Sequence, residues 1–431
     1  MLSRSFIFIL FSILYSQISF SQELTGEMVN KISKPDNIGT NFWFTVPPCY
    51  ETENPDNAVK ILIFSEYTTQ VKIEVEDIFF IRTINTVPFE VVEVELTPMQ
   101  AQPYTKSGTE DEKESELYKR RGIHLTSKLP VGVYVLIDYE GTSDGFLALP
   151  AAVLGEEYVV SSYDALYSGD FKFPSIAGIT APYDNTRVTI TIGGNENTLT
   201  ADNLGPGEKL NATLYQGDVF MFSSKGDQSD LSGTLIKANK PVAVVAGHQC
   251  ANVPAQNSWC DYLVEMLTGT ETWGTKFAVP QIPGREMSSI IRIYAKENET
   301  SIYRNGNLIA MIDGPGGLKD EAWIEIRLNE NPANPFPVYI TSDKPVQIVH
   351  YNTGSQEDGL PRKDFDPFQM VIAPLEQYSP SIPFAMPKAR NNSGFAENYF
   401  AAAFTPNSEN LIPPYLLLGL GTEDTTRFHS L

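Results

Sequence analysis

The stretch that decides the fold is residues 238–280, ANKPVAVVAGHQCANVPAQNSWCDYLVEMLTGTETWGTKFAVP. A polar turn ends at Lys240 and Pro241, and the apolar run that follows predicts a β-strand. Proline is tolerated at the first position of a strand, because no ladder donor is needed there. An irregular loop then leads to Asp261, which opens a second apolar segment, and Trp273 precedes another predicted strand.

Weaker versions of this pattern recur on both sides of it. One copy contains Pro130 and Asp144, and the other contains Pro345 and Asp366. The three prolines are separated by 241 − 130 = 111 and 345 − 241 = 104 residues, about the size of a small domain and too long for a solenoid repeat. We therefore predict an all-β protein of tandem sandwich-like repeat units of about 105–115 residues, each with its own core.

The repeat spacing and the first residues of the chain define the predicted organisation. It comprises a signal peptide at 1–21, a flexible lead-in at 22–38, repeat units at 39–153, 154–271 and 272–374, and an incomplete fourth unit or terminal strands at 375–431. Residues 1–21 contain Arg4 and then a short apolar run, which is typical of a secretory signal. The rival interpretation is a membrane anchor, but the run is about half the ~20 residues that a span needs. We expect a secreted, extracellular protein.

The net charge of the chain narrows the classes of molecule that it is expected to bind. The chain carries 53 acidic and 31 basic residues, a net charge of −22, which disfavours nucleic acid and anionic lipid because both present negative phosphate. The charged tract at 102–121 is expected to be a solvated loop or a short helix.

Three cysteines in an exported chain allow one disulfide and leave one thiol. Cys250 and Cys260 are the predicted pair, closing a loop of 260 − 250 = 10 residues. The alternative is two free thiols that pack as small hydrophobic residues, but export favours oxidation. Cys49 lies in a segment rich in turn-forming residues, where we expect it to be exposed and able to form an intermolecular disulfide.

Sequence motifs of catalysis are missing. The four histidines are spread along the chain, and no HExxH or CxxC motif and no phosphate-binding glycine loop occurs; the histidines are His124, His248, His350 and His429. His248 is interpreted as a structural or rim residue. We therefore predict that the protein is not an enzyme, with no catalytic residues, no cofactor and no metal site.

Asp144, Asp261 and Asp366 precede the apolar segment in the three copies, and we predict the same structural role for each. An aspartate at such a position can accept hydrogen bonds from backbone N–H groups and fix a turn. Calcium binding is the functional alternative, although no D-x-D-x-D-G loop occurs. A glycosidase carboxylate pair is a further alternative, but nothing in the sequence selects one.

Three sequons are candidate glycosylation sites if the source is a eukaryote; they begin at Asn211, Asn298 and Asn391.

An ordered set of motifs resembles the N-terminal domain of the IgGFc-binding protein family. The motifs are GTNFW at 39–43, DGFLALP at 144–150, GHQCANVP at 247–254, CDYLVE at 260–265, TWG at 272–274 and DPF at 366–368. The resemblance implies a secreted, non-catalytic domain in a mucosal setting that binds glycoprotein or immunoglobulin-type partners, Fc among them. No Fc-binding residue can be transferred to this chain. The alternatives are an extracellular carbohydrate-binding or carbohydrate-active protein, and a structural subunit of a surface assembly.

The positions of three tryptophans predict which of them are buried in a core and which is exposed. Trp43 and Trp273 stand at corresponding strand positions and are expected to be buried, whereas Trp259 lies within the cysteine loop and is expected to be more exposed. The alternative is that Trp43 and Trp273 are platforms for stacking on a sugar.

Overall fold

Strands dominate the chain. The computed structural model describes residues 37–50, 54, 56–105, 112–282, 289–328, 338–358, 366–378, 417–419 and 425–427. The predicted signal peptide, most of the lead-in, Asn391 and most of the predicted fourth unit lie outside the described residues. Within the described part of the chain, no helix is long and apolar enough to cross a membrane.

The first predicted repeat contains eight strands among its described residues. They are β1 Gly39–Phe44, β2 Ala58–Phe64, β3 Gln70–Val75, β4 Phe80–Asn85, β5 Val91–Leu96, β6 Glu116–Tyr118, β7 Ile123–Asp138 and β8 Ser143–Ala148. A four-residue α-helix, Pro98–Ala101, and the 3-10 turns Glu76–Ile78 and Ala151–Val153 lie between or after them.

The middle repeat contains ten strands, and the described part of the third repeat contains seven. The middle strands are β9 Glu157–Val159, β10 Leu166–Ser168, β11 Phe171–Phe173, β12 Ser175–Thr180, β13 Thr186–Thr191, β14 Lys209–Leu214, β15 Val219–Ser223, β16 Leu235–Ala238, β17 Ala243–Ala251 and β18 Asp261–Met266. The third repeat has β19 Gly274–Val279, β20 Ser289–Ala295, β21 Thr300–Arg304, β22 Asn307–Ile312, β23 Trp323–Leu328, β24 Val338–Asn352 and β25 Phe368–Ile372. The 3-10 turns here are Thr270–Thr272, Ser355–Asp358 and Leu375–Gln377, and a separate strand pair joins β26 Leu417–Gly419 to β27 Thr425–Arg427.

The three repeats share one strand order. In the first, one sheet runs β4-β3-β7-β1 and the other β8-β7-β2-β5, so β7 belongs to both. The third repeats this with β22-β21-β24-β19 and β25-β24-β20-β23. In the middle repeat two separate strands, β16 and β17, replace the single shared strand. The two sheets there run β14-β13-β16-β9 and β18-β17-β12-β15. The all-β prediction is confirmed.

The prolines that mark the repeat do not all begin strands. Pro130 and Pro345 lie inside β7 and β24, and only Pro241 precedes its strand. In β7, residues 123–127 pair with β1 and β3, Val131 pairs with Gly39 of β1, and residues 132–138 pair with β2 and β8. The proline therefore marks the point where the chain passes from one sheet to the other, where the loss of a ladder donor does little harm.

Each sandwich has its own apolar core, and the middle repeat also packs against both neighbours. Every residue of β17 is buried, which is the pattern of a strand covered on both faces. Val245 and Val264 extend the core of the first repeat, while Leu263 joins Tyr294 and Trp323 in a cluster shared with the third. The apolar run at 242–246 is thus the centre of the assembled fold.

The prediction for residues 102–121 is wrong in part. Glu116–Tyr118 is neither loop nor helix, but strand β6, which pairs with β15 of the middle repeat across the predicted unit boundary. Arg121 is buried, and its Nη2 donates to the carbonyl oxygen of Gln102 at 2.9 Å. The high density of charged residues around this segment predicted a solvated loop, whereas a strand about 100 residues away in sequence pairs with it.

Candidate functional site

Three equivalent loops come together in the folded chain. They lie between the shared central strand of each repeat and its last strand, and the described residues are 139–142, 252–260, 353–358 and 366–367. The Tyr262 amide donates to Thr142 Oγ1 at 2.9 Å, and the Gly354 amide donates to the Val253 carbonyl at 2.8 Å. We call residues 139–142, 252–260 and 353–358 the loop face.

The middle loop is the most constrained of the three. Cys250 and Cys260 form the predicted disulfide, with a Cα–Cα distance of 5.0 Å. His248 is buried, and its Nδ1 accepts a hydrogen bond from the Cys250 amide at 3.0 Å. The Ser258 amide donates to Gln356 Oε1 at 3.0 Å, which ties the loop to the third repeat. The loop is therefore held at both ends and along its length.

Removing the disulfide is expected to loosen this loop. Changing both Cys250 and Cys260 to Ser should lower the free energy of unfolding by about 2.5–3 kcal/mol, because the unfolded chain regains the entropy of a ten-residue loop. Chemical denaturation of the two proteins measures the difference. Peptide mapping that finds both thiols free in the native protein would contradict the assignment.

Trp259 is the exposed side chain of this loop. Its side chain is 81% exposed, and its backbone φ of 69° lies in the left-handed region, which bulky residues rarely occupy. An exposed, rigidly mounted tryptophan is typical of binding surfaces, because it offers a large apolar area at a small cost in conformational entropy.

The other tryptophan predictions hold to different degrees. Trp43 is 7% exposed and stacks on His124 with ring centroids 3.7 Å apart, which confirms its predicted burial. Trp273 is half-buried rather than buried: it follows the turn Thr270–Thr272 and packs at the edge of the cluster between the middle and third repeats, outside the third core. The exposure of Trp259 is confirmed.

The predicted aspartates follow the three loops in the chain and differ in burial. Asp144 and Asp261 are buried, whereas Asp366 is exposed. Asp144 accepts hydrogen bonds from the amides of Gly145 at 2.7 Å and of Val264 at 2.8 Å. Asp261 accepts one from its neighbour Tyr262 at 2.9 Å. Backbone N–H groups are thus the observed partners of both buried carboxyl groups.

The strand register places Asp144 differently from the other two. In each repeat, the residue three positions after the proline pairs with a reference residue, which is Ala148 in the first repeat, Leu267 in the middle repeat and Ile372 in the third. Asp261 and Asp366 lie six residues before their reference residues. Asp144 lies four residues before its own. The common position predicted from sequence is therefore shifted by two residues in the first repeat. Because side chains alternate along a strand, an even shift keeps Asp144 on the same face.

Burial dominates the electrostatics of these acids. It raises the pKa of Asp261 to about 9, and the charges of Asp366 and Asp144 act in the same direction. Burial also raises the pKa of Asp144 well above its usual range. Glu265, a half-buried residue of β18 for which no role was predicted, has a raised pKa because of partial burial and the nearby Asp144. No set of three or more His, Cys, Asp or Glu in the described ranges is arranged to hold a metal ion.

The histidines do not form a site. His350 is buried, its Nε2 lies 2.6 Å from Ser289 Oγ, and burial lowers its pKa to about 3. His124 lies in another repeat, with Nδ1 3.1 Å from Glu74 and Nε2 3.0 Å from Asn41. His429 is outside the described residues. The structure brings none of the three described histidines together with the aspartates as a catalytic group.

The prediction for Cys49 is wrong. Its side chain is fully buried in the core of the first repeat, a cluster that also contains Tyr262. The neighbouring Tyr50 amide donates to the Gln249 carbonyl at 3.3 Å, which draws this segment against the middle repeat. The turn-rich sequence indicated an exposed loop, but packing between repeats covers it. A thiol in this position cannot reach another chain while the protein is folded.

Two of the three sequons can be located. Asn211 is exposed on the outer edge strand β14, where its Oδ1 accepts a hydrogen bond from Thr189. Asn298 is exposed in a turn, where its Oδ1 accepts one from the Gly314 amide. Both positions are open to solvent, and glycosylation at either stays a prediction.

Comparison with known proteins identifies the family. The family model described as IgGFc binding protein matches residues 144–411, which is more than half of the chain. The chain belongs to the IgGFc-binding protein family. The human IgGFc-binding protein is 25% identical over 263 residues, covering 61% of this chain and 4% of that relative. The chain thus spans a small fraction of the relative it matches. No solved structure matches it significantly.

One buried network of this IgGFc-binding family member was not anticipated from its sequence. Arg292 on β20 is completely buried and binds Asp230 of the middle repeat, with Nη1 2.6 Å from Oδ2. Its guanidinium carbon lies 4.1 Å from the ring centre of Tyr163 and 4.7 Å from that of Trp323. The sequence feature that indicated this network was an arginine within the apolar run SIIRIYA, because a charged residue on a buried strand requires partners.

Proposed function

We propose that the chain is a secreted, non-catalytic recognition module that binds an extracellular protein or glycoprotein through the loop face. The observation that carries the proposal is Trp259, 81% exposed on a loop closed by the disulfide and tied to the third repeat. Loops on a rigid scaffold are a common location of binding residues. Family membership supports a binding role, and the human relative's name describes binding to immunoglobulin G Fc.

The test uses Fc as the first defined partner. In biolayer interferometry against immobilised IgG Fc, we expect Trp259→Ala to weaken binding at least tenfold, because a central aromatic anchor commonly contributes ~2 kcal/mol or more. Tyr215→Ala is the matched control: this tyrosine is 53% exposed at the end of β14 and belongs to no loop of the face. Comparison of binding to intact Fc and to deglycosylated Fc distinguishes recognition of the Fc protein surface from recognition of its glycan.

Two results would contradict the proposal. One is equal binding of the wild-type and Trp259→Ala proteins to a partner that the wild type recognises. The other is turnover in a glycan panel that is abolished by a single carboxylate substitution, which would favour the carbohydrate-active alternative.

A second candidate, a structural subunit of a surface assembly, is favoured by the outer edge strand β22. It contains no charged residue and no proline, and Leu308 and Met311 are 59% and 62% exposed. Unprotected apolar edges can add a strand from another chain. Concentration-dependent association that is lost in Met311→Lys, with Trp259→Ala unaffected, would support this candidate.

A further inference from the structure

The last strands of the three repeats meet without forming a common ladder. β8, β18 and β25 each pair only with the central strand of their own repeat, and a sheet edge leaves backbone N–H groups without ladder partners. Carboxyl groups from the neighbouring repeats accept several of these bonds. Asp144 on β8 accepts from Val264 on β18 at 2.8 Å, and Glu265 on β18 accepts from Val371 on β25 at 3.3 Å.

Asp144 and Asp261 make further links between the repeats. Asp144 also accepts a hydrogen bond from the Gln369 amide of β25, so one carboxyl group contacts all three repeats. Asp261 accepts from the Ser143 amide of β8 in addition to Tyr262. We call Asp144, Asp261 and Glu265 the acid junction.

In the part of the chain that the structure describes, the surroundings of the acid junction contain no compensating cation. Its titratable neighbours are carboxyl or phenol groups, namely Asp366, which acts on Asp261, Tyr134, whose pKa is raised by burial and by Glu265, and Tyr262, which lies near Asp144. Among the described residues, no lysine, arginine or histidine forms an ion pair with a member of the junction. Ionisation would therefore place like charges together in a poorly solvated space.

We propose that the acid junction is a proton-dependent clamp that holds the three repeats, and the loops that precede their last strands, together while its carboxyl groups are protonated. A protonated carboxyl group can still accept the edge N–H bonds, and it carries no charge. When the groups ionise, their repulsion separates β8, β18 and β25. The inference extends the proposed function because Asp144 and Asp261 follow loops of the loop face in the chain, but the chain alone is enough to test it.

The direction of the pH dependence follows from the raised pKa values. A carboxyl group with a higher pKa in the folded than in the unfolded state binds its proton more tightly when folded. Its stabilising contribution is complete below the ordinary carboxyl pKa of about 4 and is lost as pH rises towards 9, the value for Asp261. The clamp is thus tightest in acid and weakest in alkaline solution.

Hydrogen–deuterium exchange followed by mass spectrometry tests the clamp between pH 5 and pH 9. After correction for intrinsic exchange, we expect opening of peptides from β8, β18 and β25 to increase up to tenfold per pH unit for each proton lost. Asp261→Asn and Glu265→Gln should each reduce this slope. Asp170→Asn, at an exposed turn position between β10 and β11 and outside the junction, should leave it unchanged. A flat wild-type profile, or equal slopes in wild type and both junction variants, would overturn the proposal.

A direct titration covers the case in which the variants do not fold. In carbon-13 carboxyl spectra of the wild-type protein, we expect at least one Asp and one Glu to titrate above pH 6. Titration of every carboxyl group below pH 5.5 would refute the clamp. Neither measurement involves a partner, so its failure is distinguishable from loss of binding through Trp259.

Discussion

Arg292→Ala is expected to lower the free energy of unfolding by about 3–5 kcal/mol, the usual cost of removing one member of a buried ion pair. The guanidinium is fully buried, and its Nη1 contacts both Asp230 and the Ser162 carbonyl at 2.6 and 2.7 Å. Burial alone would lower the pKa of Arg292, but the charges of Asp230 and Glu325 outweigh it and raise that pKa. The arginine therefore stays charged, and its removal leaves a buried carboxylate without a counter-ion.

Chemical denaturation of the variant and of a matched control measures this effect. Arg187→Ala changes the same residue type at an exposed position on β13 and should alter stability by less than about 0.5 kcal/mol. A further variant, Arg292→Lys, should recover only part of the loss, since an ammonium group cannot reproduce the planar fork of bonds. Equal stabilities of Arg292→Ala and wild type would show that the network contributes nothing.

Trp43→Ala is expected to cost a similar ~3–5 kcal/mol, because it opens a cavity in the core of the first repeat and removes the stack on His124. Trp259→Ala is the matched control, with the same change at a residue that is 81% exposed, and it should change stability by under about 0.5 kcal/mol. Thermal or denaturant unfolding of both variants gives the comparison.

Fluorescence offers an independent check of the same assignment. Emission from Trp43 should be blue-shifted and quenched little by iodide, whereas Trp259 should account for most of the quenchable signal. If iodide quenching were unchanged in Trp259→Ala, or if glycans protected Trp43 from quenching, the core assignment of Trp43 would be reversed.

The sequence predicted features that depend on local pattern. The apolar run after Pro241 and the Cys250–Cys260 pair both lie within short stretches of sequence, and the structure contains both. The exposure of Trp259 also followed from its place inside the cysteine loop. In these cases the neighbouring residues determine the outcome.

Features that depend on contacts between repeats were not predictable in the same way. Cys49 has a turn-rich neighbourhood but is buried by the fold, and the charged tract around Glu116 supplies a strand to a distant sheet. Asp144 and Glu265 look like ordinary strand acids until the last strands of the repeats are brought edge to edge. Tertiary packing decides all four positions, and no local pattern encodes it.

The long strands β7 and β24 give the chain an uneven mechanical response. Each passes through both sheets of its sandwich, so a force that separates the sheets must strain a continuous backbone as well as the packing between them. In the middle repeat the same path is divided between β16 and β17, with residues 239–242 forming a joint. We therefore expect the middle sandwich to be the most compliant of the three under tension, although its strand β17 is buried along its whole length.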